Sequence, residues 1–261
     1  MRVINDNQFE VRLTINQAEV LAAQQLRYRV FVEEFGAKVS QKNVAKAIER
    51  DKFDRYCDHL ILIDKRSKSL CDQPKIIGTM RLMEREVAEQ TLGFYSATEY
   101  NLDKLISETD NSLEISRACV EKNYRGNVAI HYLWLGLADY IINRNINLMF
   151  GVASFHGNNA MDFGSALTLL NEKFKAPKTW GFRAAKKGYV DMNIIPPDKL
   201  NYKVAMNQMP SLLKAYLRIG AKVSDGAFID LKFNTIDVGL VVATDSINKK
   251  YRDFYGRAKA K

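Results

Sequence analysis

The stretch LEISRACVEKNYRGN, residues 113–127, decides how the rest of the chain is read. Its first part is an apolar strand that admits Glu114, Ser116 and Arg117, and it then breaks into a basic turn holding a glycine. Polar groups inside such a run cost free energy unless they have partners or a task. Beyond the turn, Ile130, Leu133, Trp134, Leu137, Ala138 and Ile141 recur at helical spacing. A basic loop that opens a helix directly after a strand aims backbone N–H groups and a positive dipole end at one point, which makes an anion site. Tyr124, Arg125, Gly126, Asn127 and Val128 form that loop. Gly126 lets the backbone approach a ligand closely and Arg125 adds charge. By itself this pattern is commonplace.

Working outward, NQAEVLAAQQLRYRVFVEEF (16–35) reads as a long helix. Asn16 and Glu19 suggest a capping box, Gly36 ends the run, and Arg27, Phe31 and Glu34 fall on one face. The charged segment ERDKFDRYCDH (49–59) leads into strands HLILID (59–64) and KIIGTMRLM (75–83). A polar insert over 84–111 precedes the opening stretch. After it come a strand, NLMFGVASF (147–155), a turn, and a helix through about residue 174. A strand at about 188–193, a helix at about 210–219 and a last strand, IDVGLVVA (236–243), complete the order. This order predicts an α/β fold, a mixed sheet covered by helices. We read residues 1–261 as a single domain, with elaborations at about 84–111 and 175–235 and a basic C-terminal tail over 247–261.

The 261 residues are 47% hydrophobic and 26% charged, which suits a chain with a real core. With only 5 Pro and 14 Gly, long flexible linkers are not expected. Three cysteines without a close pair suit reduced thiols, hence a cytoplasmic setting. The N-terminus lacks an apolar signal region, and the longest apolar runs fall short of the ~20 residues that span a bilayer. The net charge of +9 asks for an acidic partner. No module interleaving basic and aromatic residues points to nucleic acid. His59, His131 and His156 make no metal pattern with the cysteines.

The segments RYRVF (27–31), DKFDRYCDHLILID (51–64), LEISRACVEKNYRGN (113–127) and FGVASFHG (150–157) resemble the Gcn5-related N-acetyltransferase superfamily. More narrowly, they resemble its branch of ornithine–acyl-carrier-protein N-acyltransferases, the first enzymes of ornithine-lipid synthesis. The tail segment YLRIGAKVSDGAFIDLKFNTIDV (216–238) is similar to the same branch. The resemblance covers about residues 12–243 and is weakest over 84–111 and the basic tail. It implies a twisted mixed sheet with splayed central strands flanked by helices, the pantetheine arm entering between 113–120 and 147–155. The superfamily's phosphate loop, Gln/Arg-x-x-Gly-x-Gly/Ala, is matched here by Asn123, Gly126 and Val128, so only the glycine agrees. A carrier-protein phosphopantetheine, with a single phosphodiester, asks less of that loop than coenzyme A does. An acidic acyl carrier protein also suits the basic surface.

The resemblance therefore implies transfer of a 3-hydroxyacyl chain from acyl carrier protein to the α-amine of L-ornithine, in a ternary complex with no metal or resident cofactor. Amide formation needs a neutral amine, donors for the developing oxyanion and a proton for the thiolate. Glu114 is the candidate base, against a reading as an ion-pair partner of Arg117 or Arg81. Ser116 is a donor or fills a small site, and backbone N–H groups after it are the oxyanion donors. Arg27, beside Phe31, is chosen for the acceptor carboxylate, against a solvated helix arginine. Of Asp51, Asp54 and Asp58, at least one is expected to hold the side-chain ammonium. Arg117, Ser154 and His156 complete the substrate-binding set, and Arg125, Gly126, Asn127 and Val128 the pantetheine-phosphate set. Cys119, with no histidine at a suggestive spacing, reads as a small hydrophobe rather than a nucleophile. Asp225, Asn234 and Asp237 receive no role. The alternatives are acylation of glycine or another amino acid, an acyl-homoserine-lactone synthase, and a non-catalytic basic module for membrane or nucleic acid. The amphiphilic product adds an expected peripheral contact with anionic lipid.

Overall fold

The run HLILID has no polar face because both faces of its strand are covered. That is the arrangement in the computed structural model of the protein, which describes residues 4–68, 74–126 and 128–247. Its first six strands are β1 (Ile4–Asn5), β2 (Phe9–Leu13), β3 (Asp58–Lys68), β4 (Pro74–Glu84), β5 (Tyr100–Asn101) and β6 (Ser112–Val120). The remaining six are β7 (Leu148–His156), β8 (Arg183–Ala184), β9 (Tyr189–Val190), β10 (Lys222–Val223), β11 (Ala227–Asp230) and β12 (Thr235–Ala243). The chain packs as two compact units. Of the described residues, the first holds those up to Thr91 and Ile115–Ile146, the second Leu92–Glu114 and residues 147–247. The strands read as the splayed pair are β6 and β7; most of β6 lies in the first unit and β7 in the second.

In the first unit the strand order is β1-β2-β3-β4-β6, with β1 to β4 paired antiparallel. Ile61 and Ile63 of β3 pack with Ala23, Leu26 and Val30 of the first helical segment, together with Ile76 and Cys119. Leu60 and Leu62 point to the opposite face, where helix Ala129–Arg144 packs. A Cβ at Gly136 of that helix would sit 2.8 Å from Val11 Cγ2, so glycine permits the close approach. Asn16 caps the first helix as expected, its side chain accepting the Glu19 N–H at 3.0 Å. The helix is not uniform, however. It is α over Gln17–Arg27 and π over Tyr28–Glu34. The wider π turn shifts the phase, so Arg27 is buried, Phe31 half-buried and Glu34 exposed rather than sharing one face.

The second unit carries the order β7-β12-β11-β9, all antiparallel, with β10 also on β12. The strand expected over 188–193 shrinks to β9. Helix Gly164–Phe174 packs on helix Tyr202–Gln208, and helix Ser211–Arg218 packs on β7. A short ladder of β5 with β8 is separate from the larger sheet. A Cβ at Gly239 of β12 would lie 2.5 Å from Phe182 and 3.0 Å from Tyr100. Glycine there lets the ends of that ladder rest on β12. The polar insert is thus structured: helix Arg85–Glu89, then β5 and helix Asp103–Ser107. No helix among the described residues is long and apolar enough to cross a membrane.

Candidate active site

Four of the residues singled out in the sequence meet in the first unit, and they meet each other. Arg117 pairs with Glu49 (3.2 Å), Glu49 with Arg27 (2.8 Å), and Arg27 with Asp54 (2.7 Å). Asp54 lies 3.3 Å from Arg81, Arg81 2.6 Å from Asp51, and Asp51 2.9 Å from Arg117. Three guanidiniums and three carboxylates therefore close a ring of alternating sign. The backbone carbonyl of Glu49 and the amides of Asp51 and Phe53 are tied into the same ring. Burial, the largest single influence, opposes the charges of Glu49 and Asp54, but the arginines together outweigh it, Arg27 with Arg117 and Arg81 at Glu49 and Arg27 with Arg81 at Asp54, and hold both carboxyls below their ordinary range. Burial also opposes the charge on Arg27, and Glu49 and Asp54 more than restore it. His59, with Nε2 3.0 Å from the Asp54 carbonyl oxygen, is pushed down by burial and by the nearby arginines.

These contacts correct several expectations. Arg27 is fully buried with its guanidinium committed to Glu49 and Asp54, so its charge serves the ring and not an acceptor carboxylate. Asp54 is enclosed in the same way. Asp58 leaves the group, accepting the Tyr140 hydroxyl at 2.9 Å. Phe31 packs against the apolar cluster under the first helix. Arg117 holds Glu49 and Asp51. Cys119, by contrast, is buried as expected of a small hydrophobe, and that burial pushes its thiol up to about 12, which leaves no thiolate for nucleophilic attack.

Glu114 is corrected as well. Its two oxygens accept the backbone N–H groups of Tyr95 (3.0 Å) and Ser96 (2.5 Å), and it is 1% exposed. It fastens the turn at 95–96 instead of facing a substrate, and it pairs with neither Arg117 nor Arg81 in the manner weighed above. Ser116 accepts the Arg81 Nε–H at 3.0 Å. Next to it, Arg117 sits at φ 52°, a left-handed conformation inside a strand. For a non-glycine residue that costs about 1–2 kcal/mol, and it is the signature of a bulge that re-aims the chain. Consecutive residues 116 and 117 both reach the arginine–carboxylate ring, as a break in alternation requires.

In the anion loop, Arg125 is engaged with Glu34 at 2.6 and 2.7 Å and with the Val120 carbonyl oxygen at 2.9 Å. It clasps the loop to the end of the π turn, which corrects its reading as a phosphate ligand. Gly126 takes φ 76° with open space around it, and Val128 is exposed. Val128 leaves the start of helix Ala129–Arg144 without a side-chain cap. Asn127 lies outside the described residues.

The second unit gathers charge of one sign. Glu99, Asp230 and Asp237, all buried, bring carboxylate oxygens within 4.8 Å of one another. If all three were ionised, each pair would repel by about 3 kcal/mol or more at an effective dielectric near 20. Asp230 accepts the N–H groups of Lys232 (2.7 Å) and Phe233 (3.1 Å). Tyr100 donates to the Asp237 carbonyl oxygen at 2.7 Å, and its phenol is pushed well up by burial and then by Asp237 and Glu99. The β-register sets Thr235 opposite Asp230 and His156, and Ser154 opposite Asp237. Ser154 is half-buried and His156 exposed. Asp225 instead pairs with Lys175 (2.6 Å) and Arg183 (2.8 Å), and Asn234 takes φ 54° in the β11–β12 turn. Glu99 and Asp230 were missed because they lie in the two regions read as elaborations. Asp237 did carry a signal: like Glu114, it is a carboxylate inside an apolar strand.

Comparison with known proteins gives concordant results. The description "Acetyltransferase (GNAT) domain" matches residues 26–135. The chain is 40% identical over 249 residues to the L-ornithine N(alpha)-acyltransferase of Brucella abortus (strain 2308), covering 95% of this chain and 88% of that one. Identity to the protein of the same name from Rhodobacter capsulatus is 38%, covering 95% of each. Among solved structures, FeeM, an N-acyl amino acid synthase from uncultured soil microbes, matches with a TM-score of 0.52 at 9% identity, over 91% of this chain and 92% of that one. At such identity the likeness concerns the fold alone.

Proposed function

The chain belongs to the L-ornithine N(alpha)-acyltransferase family, and from that premise we propose that it transfers an acyl chain from a thioester to the α-amine of L-ornithine. The observation that carries this reading is identity of 36–40% to four such proteins over 95% of this chain. A new C–N bond replaces the C–S bond, and the proton lost by the attacking amine passes to the departing thiolate. The break in β6 at Arg117 favours the backbone N–H groups after Ser116 as donors for the oxyanion.

The donor in this reading is a 3-hydroxyacyl phosphopantetheine on acyl carrier protein. Two features support it. With Arg125 clasped to Glu34, the anion loop offers backbone donors at an uncapped helix start, a grip suited to one phosphodiester. The net charge of +9 complements an acidic carrier, and also an anionic lipid surface when the amphiphilic product leaves.

The purified chain incubated with 3-hydroxyacyl carrier protein and ornithine should yield ornithine bearing one fatty amide, read by mass spectrometry. Acylation of glycine in preference to ornithine, or lactone from S-adenosylmethionine, would replace this acceptor with another.

A further inference from the structure

We propose that Glu99, Asp230 and Asp237, with the Thr235 hydroxyl, form the site that holds the side-chain ammonium of the acceptor. Three carboxylates, from the residue just before β5, the end of β11 and the third residue of β12, converge within 4.8 Å. Like charges held so close in a buried place call for a cation of fixed position. A second, independent feature points to a ligand there. Thr235 is 3% exposed, and its hydroxyl oxygen makes no hydrogen bond among the described residues. The register puts it directly across from Asp230 and two residues before Asp237, on the carboxylates' side of the sheet. A buried hydroxyl beside three carboxylates offers one more oxygen to an N–H donor.

The acceptor's chemistry fits this set. Ornithine's α-amine must be neutral to attack, whereas its side-chain amine keeps its proton and remains a compact cation with three donors. An aliphatic acceptor of equal length but no terminal amine would leave the carboxylates facing apolar carbon, a penalty that turns the cluster into a filter. Ser154, opposite Asp237, and His156, opposite Thr235, lie on neighbouring β7 and border the same face.

The proposal rests on the acyltransferase reading above, and the experiment separates the two. Acyl transfer is measured with L-ornithine and with L-norvaline for the wild type and for E99Q, D230N and D237N. The ornithine-over-norvaline preference should fall about tenfold or more in each variant, chiefly through KM for ornithine. An equal loss with both acceptors, or an unchanged preference, overturns the site. Should one variant fail to fold, the other two give the same readout. Calorimetric titration without donor, using ornithine, calcium chloride and magnesium chloride in turn, distinguishes the sources of the cation. Ornithine binding that the variants abolish supports the proposal even if no amide product ever forms. Tight divalent-metal binding at the cluster, with ornithine binding unaffected by the variants, overturns it.

Discussion

The two units treat buried charge in opposite ways. In the first, Arg27, Arg81 and Arg117 alternate with Glu49, Asp51 and Asp54, so every charge faces its opposite on both sides. In the second, Glu99, Asp230 and Asp237 face one another. A ring of alternating sign is complete without a ligand and fixes the segment 49–54 against the sheet. A group of one sign is a poor way to hold a fold together and a good way to hold a cation. The lesson concerns how site residues are chosen. The residue types of an acceptor pocket, arginine and aspartate, are equally those of a structural network, and only the sign of the nearest neighbour tells them apart.

The sharpest way to break this contrast is to neutralise one carboxylate in each unit. D54N leaves Arg27 with Glu49 alone and Arg81 with Asp51 alone, and removing one partner of a buried pair should cost about 3–5 kcal/mol of stability in denaturant unfolding. D237N relieves like-charge crowding and should cost none. Equal losses would erase the distinction. E114Q should be intermediate, because one of two buried N–H groups loses its acceptor; about 1–3 kcal/mol is expected from the same measurement.

Acid titration sharpens the picture further. Glu49 and Asp54 are held below the ordinary carboxylate range, so the stability they give is present above the unfolded values of 4.5 and 3.8 and drains away as pH falls through the folded ones. His59 is likewise depressed below 6.5, mainly by burial, so the unfolded chain takes up its proton first. His131, depressed by partial burial, adds to the same slope. The melting temperature should therefore begin to drop as pH falls past about 6.5 and drop faster past the carboxylate range. A melting temperature that rises on acidification would contradict the ring. The smallest effect belongs to E34Q, which loosens the half-exposed clasp on Arg125; a change of at most about 1 kcal/mol is expected.

Much of the fold is legible in the sequence because its signals are local. HLILID, INLMFGVASF and IDVGLVVA announce strands by apolar runs, and the helix after residue 128 by its period. The site is less legible. Arg27, Asp51, Asp54 and Arg117 are brought together as the charged pattern suggests, yet the pattern is silent on whether they pair among themselves. The π turn at Tyr28–Glu34 leaves no mark in the period of a short segment, so the shared face of Arg27, Phe31 and Glu34 dissolves. Glu99 and Asp230 are more than a hundred residues apart, and only the strand pairing and the β5–β8 ladder bring them together. Such long-range closure has no counterpart in spacing.

The left-handed residue at Arg117 has a consequence for how this chain can change over generations. The left-handed turn of the backbone at Arg117 re-aims β6, and two residues on Cys119 lies in the apolar layer beneath the first helix. Deleting a single position upstream of it would turn the remainder of that strand inside out, exposing what is dry and hiding what is charged. A substitution near this kink alters one side chain and its partners, whereas a change of length alters the facing of every residue that follows.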